Sequence, residues 1–360
     1  EDYQIEGGVR FPTTFNGSEY FMVFDDRKKR LDKRIALYRR NWRYANELRP
    51  NIDSRTETTT LLGQYEVRYP LDIFRRVRAT GTLRQDRRTE LAVNATTLEI
   101  PTYREQRMSM RLEYVFDNSM DVGINFKNGT RYKVYGEVVK RFNLNLINGF
   151  NFDFNKGVMG LIGLDARHYQ RLDRLSIFAA RIAGAASFGS ERILYYLGGV
   201  DNWLFPSFEE GIPYPQGGNF DFAYQTAATN LRGFGTNIRN GSNFAVVNAE
   251  LRVPLFRYLN RRTRSSFFRN FHLVGFFDAG TAWQGWNPYA EDNPLNIIDE
   301  ANGPYVRVKV NYFRDPIVAG YGIGARTLLF GYLLRVDYAW GIETRLVQKP
   351  KLYISLGMDF

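Results

Sequence analysis

The sequence predicts an all-β fold and, within that class, a transmembrane antiparallel β-barrel. Three observations point there. The aromatic fraction is 16%, with 23 Tyr and 28 Phe, and such residues suit the pleated, half-buried surface of a sheet better than a helix. Apolar and charged residues alternate with a period of two through most of the chain. Many alternating runs reach ~10 residues, enough for a tilted strand to cross a bilayer, whereas soluble strands average ~5–6.

The elements follow in chain order. "LLGQYEVRY" and "FRRVRATGTLR" alternate roughly, with Arg76, Arg78 and Arg84 on the polar side. "RMSMRLEYVF" is cleaner: Met108, Met110, Leu112, Tyr114 and Phe116 oppose Arg107, Ser109, Arg111 and Glu113. "RYKVYGEVV", "GLIGLDARHYQ" and "SIFAARIAGAAS" come next, carrying Arg167 and Arg181. In "FAVVNAELRVPL", Ala245, Val247, Ala249, Leu251, Val253 and Leu255 share one face, and Asn248, Glu250 and Arg252 the other. "HLVGFFDAGTAW" sets Asp278 against Phe277 and Ala279, "VAGYGIGARTLL" follows, and "LLRVDYAW" opposes Leu334, Val336, Tyr338 and Trp340 to Arg335 and Asp337. "KLYISLGMDF" alternates through Leu352, Ile354, Leu356, Met358 and Phe360 against Tyr353, Ser355, Gly357 and Asp359. With the rougher stretches, about fourteen strands are predicted, their ends uncertain by ~2–4 residues.

A soluble sandwich would also alternate, so the polar face decides. It carries charge in nearly every strand, which suits a wet lumen inside an apolar, lipid-facing wall. Aromatic residues near strand ends, namely Tyr69, Tyr169, Trp283, Trp340 and Phe360, fit an interfacial girdle. Connections such as "YPLDIFRR" and "YQRLDRLS" are short, while the stretches 189–242 and 284–316 are long. Short turns on one side and long loops on the other match periplasmic and extracellular ends. No repeat, low-complexity linker or second domain interrupts residues 1–360, which read as one barrel domain.

Composition narrows function. The formal charge is +11 and cysteine is absent. Basic excess of that size fits anionic lipid, lipopolysaccharide or a cationic lumen. The basic residues are spread over many strands instead of forming a platform, which argues against nucleic acid. His168 and His272 are isolated, no nucleophile elbow or phosphate-binding loop occurs, and the acidic run "FEEGIPYP" reads as a solvated loop. The prediction is therefore a non-enzymatic protein with no cofactor and no metal.

The stretch "NLRGFGTNIRNGSNF" joins the long loop to the next strand. "LRGFG", then "NFAVVNAELRVPL", then "VGFFDAGTAW", then a terminal strand ending in Phe, resemble in that order the bacterial surface antigen family of BamA–TamA-type barrels and two-partner secretion transporters. The match runs from about Arg107 to Phe360. The earlier part is similar to barrels fused behind TolB-like propellers. The resemblance implies sixteen strands against the fourteen read from the pattern, hence about 14–16 in all, with the long loop 189–242 folded into the lumen and a periplasmic domain upstream of residue 1. It makes Leu231, Arg232, Gly233, Phe234 and Gly235 the loop tip, with Glu250 and Asp278 as the carboxylates that Arg232 meets. The parity above independently turns both carboxylates inward. It also marks Tyr353, Leu356, Gly357 and Phe360 as an assembly signal in the last strand, where Gly357 weakens pairing.

The function so implied is insertion or translocation of polypeptide or other amphipathic cargo at the outer membrane of a Gram-negative bacterium through a lateral gate. Outer-membrane lipid, lipopolysaccharide, periplasmic or lipoprotein accessory subunits and polypeptide cargo are the implied partners. The alternative is a passive pore, or a structural barrel anchoring another domain.

Overall fold

The structure is a computed structural model that describes the chain apart from residues 1, 11–18, 46–54, 92–101, 146–150, 154–156, 210, 214, 216–220, 260–264, 291–292, 294–296, 302–306, 312–313 and 330. Two compact units divide it: Glu1–Val115 with Tyr135–Gly160, and Phe116–Val134 with Leu161–Phe360.

The first unit is an antiparallel meander. Its strands are β1 (Tyr3–Arg10), β2 (Glu19–Asp26), β3 (Asp32–Ala45), β4 (Arg55–Pro70) and β5 (Arg75–Leu91), each paired with the next. Most of β6 (Tyr103–Asp117), part of β8 (Phe126–Asn145) and the short β9 (Asn151–Asp153) complete it. The β4–β5 turn is tight because the Asp72 carboxylate accepts the N–H groups of Phe74 and Arg75, both at 2.7 Å, an Asx-turn that side-chain chemistry alone can build. In β6 Arg107 and Glu113 are buried, while Met110 is 68% exposed.

The second unit continues with β7 (Met120–Gly123), β10 (Val158–Arg171), β11 (Ile177–Gly189), β15 (Asn243–Val253), β16 (His272–Trp283), β19 (Val318–Leu329), β20 (Tyr332–Glu343), the short β21 (Leu346–Val347) and β22 (Lys351–Leu356). β11, β15, β16, β19, β20 and β22 pair antiparallel in that order. Within the long connection lie β12 (Glu191–Leu197), β13 (Asp221–Ala227) and β14 (Arg239–Gly241), a small separate sheet. β17 (Ile297–Ala301) and β18 (Arg307–Asn311) form a hairpin in the next long connection. Among the described residues the main sheet holds fourteen long strands and three short ones, β7, β9 and β21.

Side-chain polarity is inverted relative to a soluble protein. Asn248, Glu250, Arg252, Asp278, Arg326, Arg335 and Asp337 are buried, whereas Val247, Leu251, Phe277 and Ile323 are exposed on the opposite face. Single exposed apolar residues are ordinary, but a whole strand face of them is a lipid-facing surface. Trp340 joins this outer face, stacking on Tyr321 at 5.7 Å and meeting Tyr338 edge-on at 4.9 Å.

Four expectations are corrected. Tyr169 is buried on the inner face and does not belong to an outer girdle; it shares parity with Asp165 and Arg167. The last strand stops at Leu356, because Gly357 takes φ +123° and turns the chain. Phe360 therefore leaves the strand's apolar face and packs on Phe126, Tyr169, Ile177 and Ala179. β15 ends at Val253, and after Pro254 residue Leu255 opens a helical turn, α1 (Leu255–Leu259), followed by α2 (Ser266–Arg269). Proline has no N–H to continue a ladder.

Candidate functional site

The connection from β11 to β15 folds onto the charged face of the second unit. Its local frame is β12 against β14, with Tyr195 opposite Gly241 and Leu197 opposite Arg239. The tip then hydrogen-bonds to the chain beyond β12: Leu231 N–H donates to Gly199 O at 3.1 Å, Gly199 N–H to Phe234 O at 3.2 Å, and Ile238 N–H to Leu197 O at 2.9 Å. Gly233 sits at φ +104° and approaches Gly341 closely, a conformation and a clearance that only glycine meets.

This geometry aims Arg232 into the strands. Its Nε and Nη2 donate to the two oxygens of Asp278 at 2.6 and 2.8 Å, Nη1 donates to Glu250 at 2.7 Å, and its backbone N–H donates to Asp278 at 3.1 Å. The guanidinium lies 3.7 Å from the Phe276 ring centroid. The fork matches a carboxylate in both spacing and charge, so a lysine could not replace it. Neighbours hold the acceptors in place: Asn248 donates to Asp278 at 2.8 Å and to Asn230 O at 3.0 Å, and Arg252 donates to Glu250 at 2.9 Å. Asp278 is 0% exposed and Arg232 4%.

The charges balance. Beside Arg232, Arg252, Asp278 and Glu250 stand Arg326 and Arg335 with Asp337 and Asp359, at 2.7 Å for Arg326–Asp337, 2.8 Å for Arg326–Asp359 and 3.5 Å for Arg335–Asp359. Four cations thus meet four carboxylates, which makes their burial tolerable. Burial alone would depress the Arg232 pKa, but Asp278 and Glu250 more than offset it and raise it well above the ordinary value. The void lined by Asn230, Arg232, Asn248, Glu250, Arg335, Asp337 and Asp359 measures only ≈ 10 Å³. That is about one water's space, so the cluster fixes protein segments and has no room for a ligand.

Apolar packing surrounds this polar centre. Leu231, Phe234 and Ile238 of the tip pack with Leu197, Ala183, Ala185, Phe244, Val246, Ala282 and Val318. Glycines make the floor: a Cβ on Gly320 would collide with Arg232 O, and one on Gly341 would lie 2.6 Å from the Phe234 ring. Tyr353 of β22 closes the other side, its hydroxyl accepting from Gly233 N–H at 2.9 Å and donating to Phe234 O at 2.8 Å. Further out, Arg239 donates to Glu343 at 2.7 Å and to Asp315 O at 2.7 Å, a second point of attachment.

The structure thus brings together Leu231 to Gly235, Glu250, Asp278 and Tyr353. Leu356, half-buried, ends β22, and Gly357 and Phe360 lie beyond it; Phe360 borders the same small void as Arg232, its carbonyl accepting from Arg252 at 3.2 Å. Glu209, read above as part of a solvated run, is partly buried and accepts from Gly235 N–H and Lys351, each at 2.6 Å. The floor glycines, Tyr353's hydroxyl bridge and Arg239 escape sequence reasoning. Their signal is faint: in "FAVV", "GAAS" and "GTAW" the alternation breaks into runs apolar on both faces, which marks a strand covered on both sides.

Fold and site together define an outer-membrane-type β-barrel whose long loop is folded against its charged inner face. A solved structure with this fold is BamA from Haemophilus ducreyi, lacking POTRA domains 1–3. It is 12% identical, has a TM-score of 0.57, and matches over 98% of this chain and 64% of its own. CdiB from Escherichia coli is 10% identical with a TM-score of 0.47 over 98% of this chain and 55% of its own. CdiB from Acinetobacter baumannii is 11% identical with a TM-score of 0.49 over 94% and 50%. The chain therefore spans less than two thirds of these structures' lengths. No family model matches the sequence, and no curated protein does.

Proposed function

We propose that this chain is the barrel domain of an outer-membrane insertase or translocase, handling polypeptide or other amphipathic cargo at a gate beside its last strand. The observation that carries the reading is the buried grip of Arg232 on Asp278 and Glu250, together with the Tyr353 bridge from the same tip to β22. A passive pore gains nothing from a loop fastened at this density to one wall and to the terminal strand. A carrier that must open beside that strand gains a latch. Position in the outer membrane of a Gram-negative bacterium, contact with lipid and lipopolysaccharide, periplasmic or lipoprotein accessory subunits, and a periplasmic domain upstream belong to the same reading, as does a role for Tyr353, Leu356, Gly357 and Phe360 as an assembly signal.

The experiment is reconstitution in proteoliposomes with an unfolded barrel protein as cargo, for the parent and for Arg232→Ala and Tyr353→Phe, alongside single-channel recording. Cargo insertion that falls in both variants, with a parent that stays closed or flickers, supports a carrier. Steady ohmic conductance without cargo insertion supports the pore, and neither activity supports an anchor.

A further inference from the structure

The cluster under the loop tip has almost no room, but a larger space opens at the turn end of the second unit. Antiparallel strands put alternate connections at opposite ends. The long stretches 189–242 and 284–316 lie at one end; the β10–β11 turn, the connection carrying α1 and α2, and the β19–β20 turn lie at the other. There Leu172 N–H donates to Ser176 O at 3.1 Å and closes the β10–β11 turn. Tyr258 ties α1 to it: its hydroxyl donates to the Asp173 carboxylate at 2.6 and 2.7 Å and accepts from Ser176 Oγ at 2.6 Å. Between turn and helix lies a cleft of ≈ 530 Å³ lined by Asp173, Arg174, Leu175, Arg257 and Tyr258. That falls within the ~300–1,000 Å³ of small-molecule sites.

Charge in the cleft is unbalanced. Asp173, the one acid of the lining, is already occupied, because besides Tyr258 it accepts the N–H groups of Leu175 and Ser176, each at 2.7 Å. Arg174 and Arg257 have no carboxylate partner among the described residues. The borders of the cleft are apolar: Leu172 is 58% exposed and Leu259 72%. In α2, Phe268 meets Phe256 of α1 edge-on at 4.8 Å, yet Phe267 and Phe268 both stay exposed. Phe267 O accepts from Thr327 Oγ at 3.3 Å, and Thr327 shares the outward parity of Ile323. α2 thus prolongs the lipid-facing wall at its turn end.

We propose that this cleft holds the phosphate of an anionic phospholipid from the leaflet on the turn side, with Arg174 and Arg257 as donors and Leu172, Leu259, Phe267 and Phe268 against its acyl chains. The inference goes beyond the carrier reading and holds equally for a pore or an anchor. A guanidinium matches a phosphate in both charge and fork geometry. Free phosphate would use the arginines but gain nothing from four exposed apolar side chains. An acidic protein segment would also match the arginines, whereas outward-turned rings beside the wall suit the zone where headgroups meet acyl chains. A zwitterionic headgroup brings an ammonium beside two arginines, so a headgroup of net negative charge is preferred.

The test is native mass spectrometry of the full chain in detergent, with phosphatidylglycerol and phosphatidylethanolamine as competing probes. The parent should retain phosphatidylglycerol preferentially. Arg174→Gln and Arg257→Gln should each weaken it about 5-fold, the effect of one arginine near a lipid surface, and the double variant should lose the preference. Tyr258→Phe alters no charge but frees α1 from the turn, so it should weaken retention too. Leu259→Ser should weaken both lipids alike. Arg345→Gln, at an exposed position between β20 and β21 on the loop end, should change nothing. An intact preference in the double variant, or the same loss in Arg345→Gln, overturns the proposal. Displacement of the lipid by inorganic phosphate would make the cleft a free-anion site, and displacement by an Asp-rich peptide a protein-docking one; either overturns the lipid assignment.

Discussion

The two units use the same alternation, with charge inward and apolar residues outward, yet their inner faces differ in kind. In the first, several pairs are part-exposed and shared: Arg78 reaches both Glu66 and Glu113 at 3.4 and 3.3 Å and is 27% exposed, and Arg84 meets Asp86 at 2.7 Å while 32% exposed, although Arg107, 2% exposed, closes on Glu105 at 2.6 Å. In the second, Arg232, Arg252, Arg326 and Arg335 are each at most 5% exposed and close on carboxylates in a neutral cluster. Exposed pairs gain little because water and salt screen them, whereas buried ones punish the loss of either partner. The loop makes the difference, since its tip supplies one of the four cations and excludes water from the rest. A charged face becomes a lock only where something covers it.

Breaking that contrast should cost most at its centre. Arg232→Ala leaves Asp278 and Glu250 buried without their counter-ion and should destabilise the second unit by about 3–5 kcal/mol, read as a shifted urea unfolding midpoint in detergent. Next, Gly320→Val pushes a side chain into Arg232 O and should cost ~1–3 kcal/mol in the same measurement, with no charge altered. Tyr353→Phe removes the bridge to Gly233 and Phe234 and should cost roughly 1–2 kcal/mol, with faster proteolysis of the loop. Acid should act more gently, through Glu209. Burial pushes its pKa up, but Lys351 and the Gly235 N–H outweigh that and hold it below the ordinary value. A depressed carboxylate contributes fully above its unfolded pKa and loses that contribution as pH falls through the folded one. Loop proteolysis should therefore accelerate only below the usual carboxylate range, and Glu209→Gln should flatten the profile. Smallest of all, Arg84→Ala in the first unit should change stability by about 1 kcal/mol or less, because the pair is half in water.

Much of this was legible in the sequence. Alternation in "RMSMRLEYVF" and "NAELRV" gives both faces correctly, since side-chain direction in a strand is a local property. That Arg232 of the "LRGF" run meets Glu250 and Asp278 is implied by the family resemblance, while parity by itself shows only that both carboxylates face inward. Tyr169 shows a cue misused: as an aromatic near a strand end it suggested an interface, although its own parity with Asp165 and Arg167 already turned it inward. Gly320 and Gly341 read as ordinary strand glycines, because their purpose depends on which segment lies above them. Trp203, bridged to Ser355 on the edge of β22, and Tyr353 under the tip are pairings across about 120 to 150 residues of sequence, and no local period encodes them. Phe360 was misplaced for a backbone reason: the left-handed turn at Gly357 interrupts a side-chain pattern that, read as letters, runs unbroken.

The most direct test of the lock is amide hydrogen exchange in the loop, comparing the parent with Arg232→Ala and Arg84→Ala. The amides of Leu231, Gly233 and Ile238 donate to Gly199 O, the Tyr353 hydroxyl and Leu197 O. Their protection should fall on the order of 100-fold or more in Arg232→Ala, as loss of a buried pair implies, and stay at the parental level in Arg84→Ala. Unchanged protection at all three amides in Arg232→Ala would mean that apolar packing alone seats the loop and that the buried arginine is not its latch.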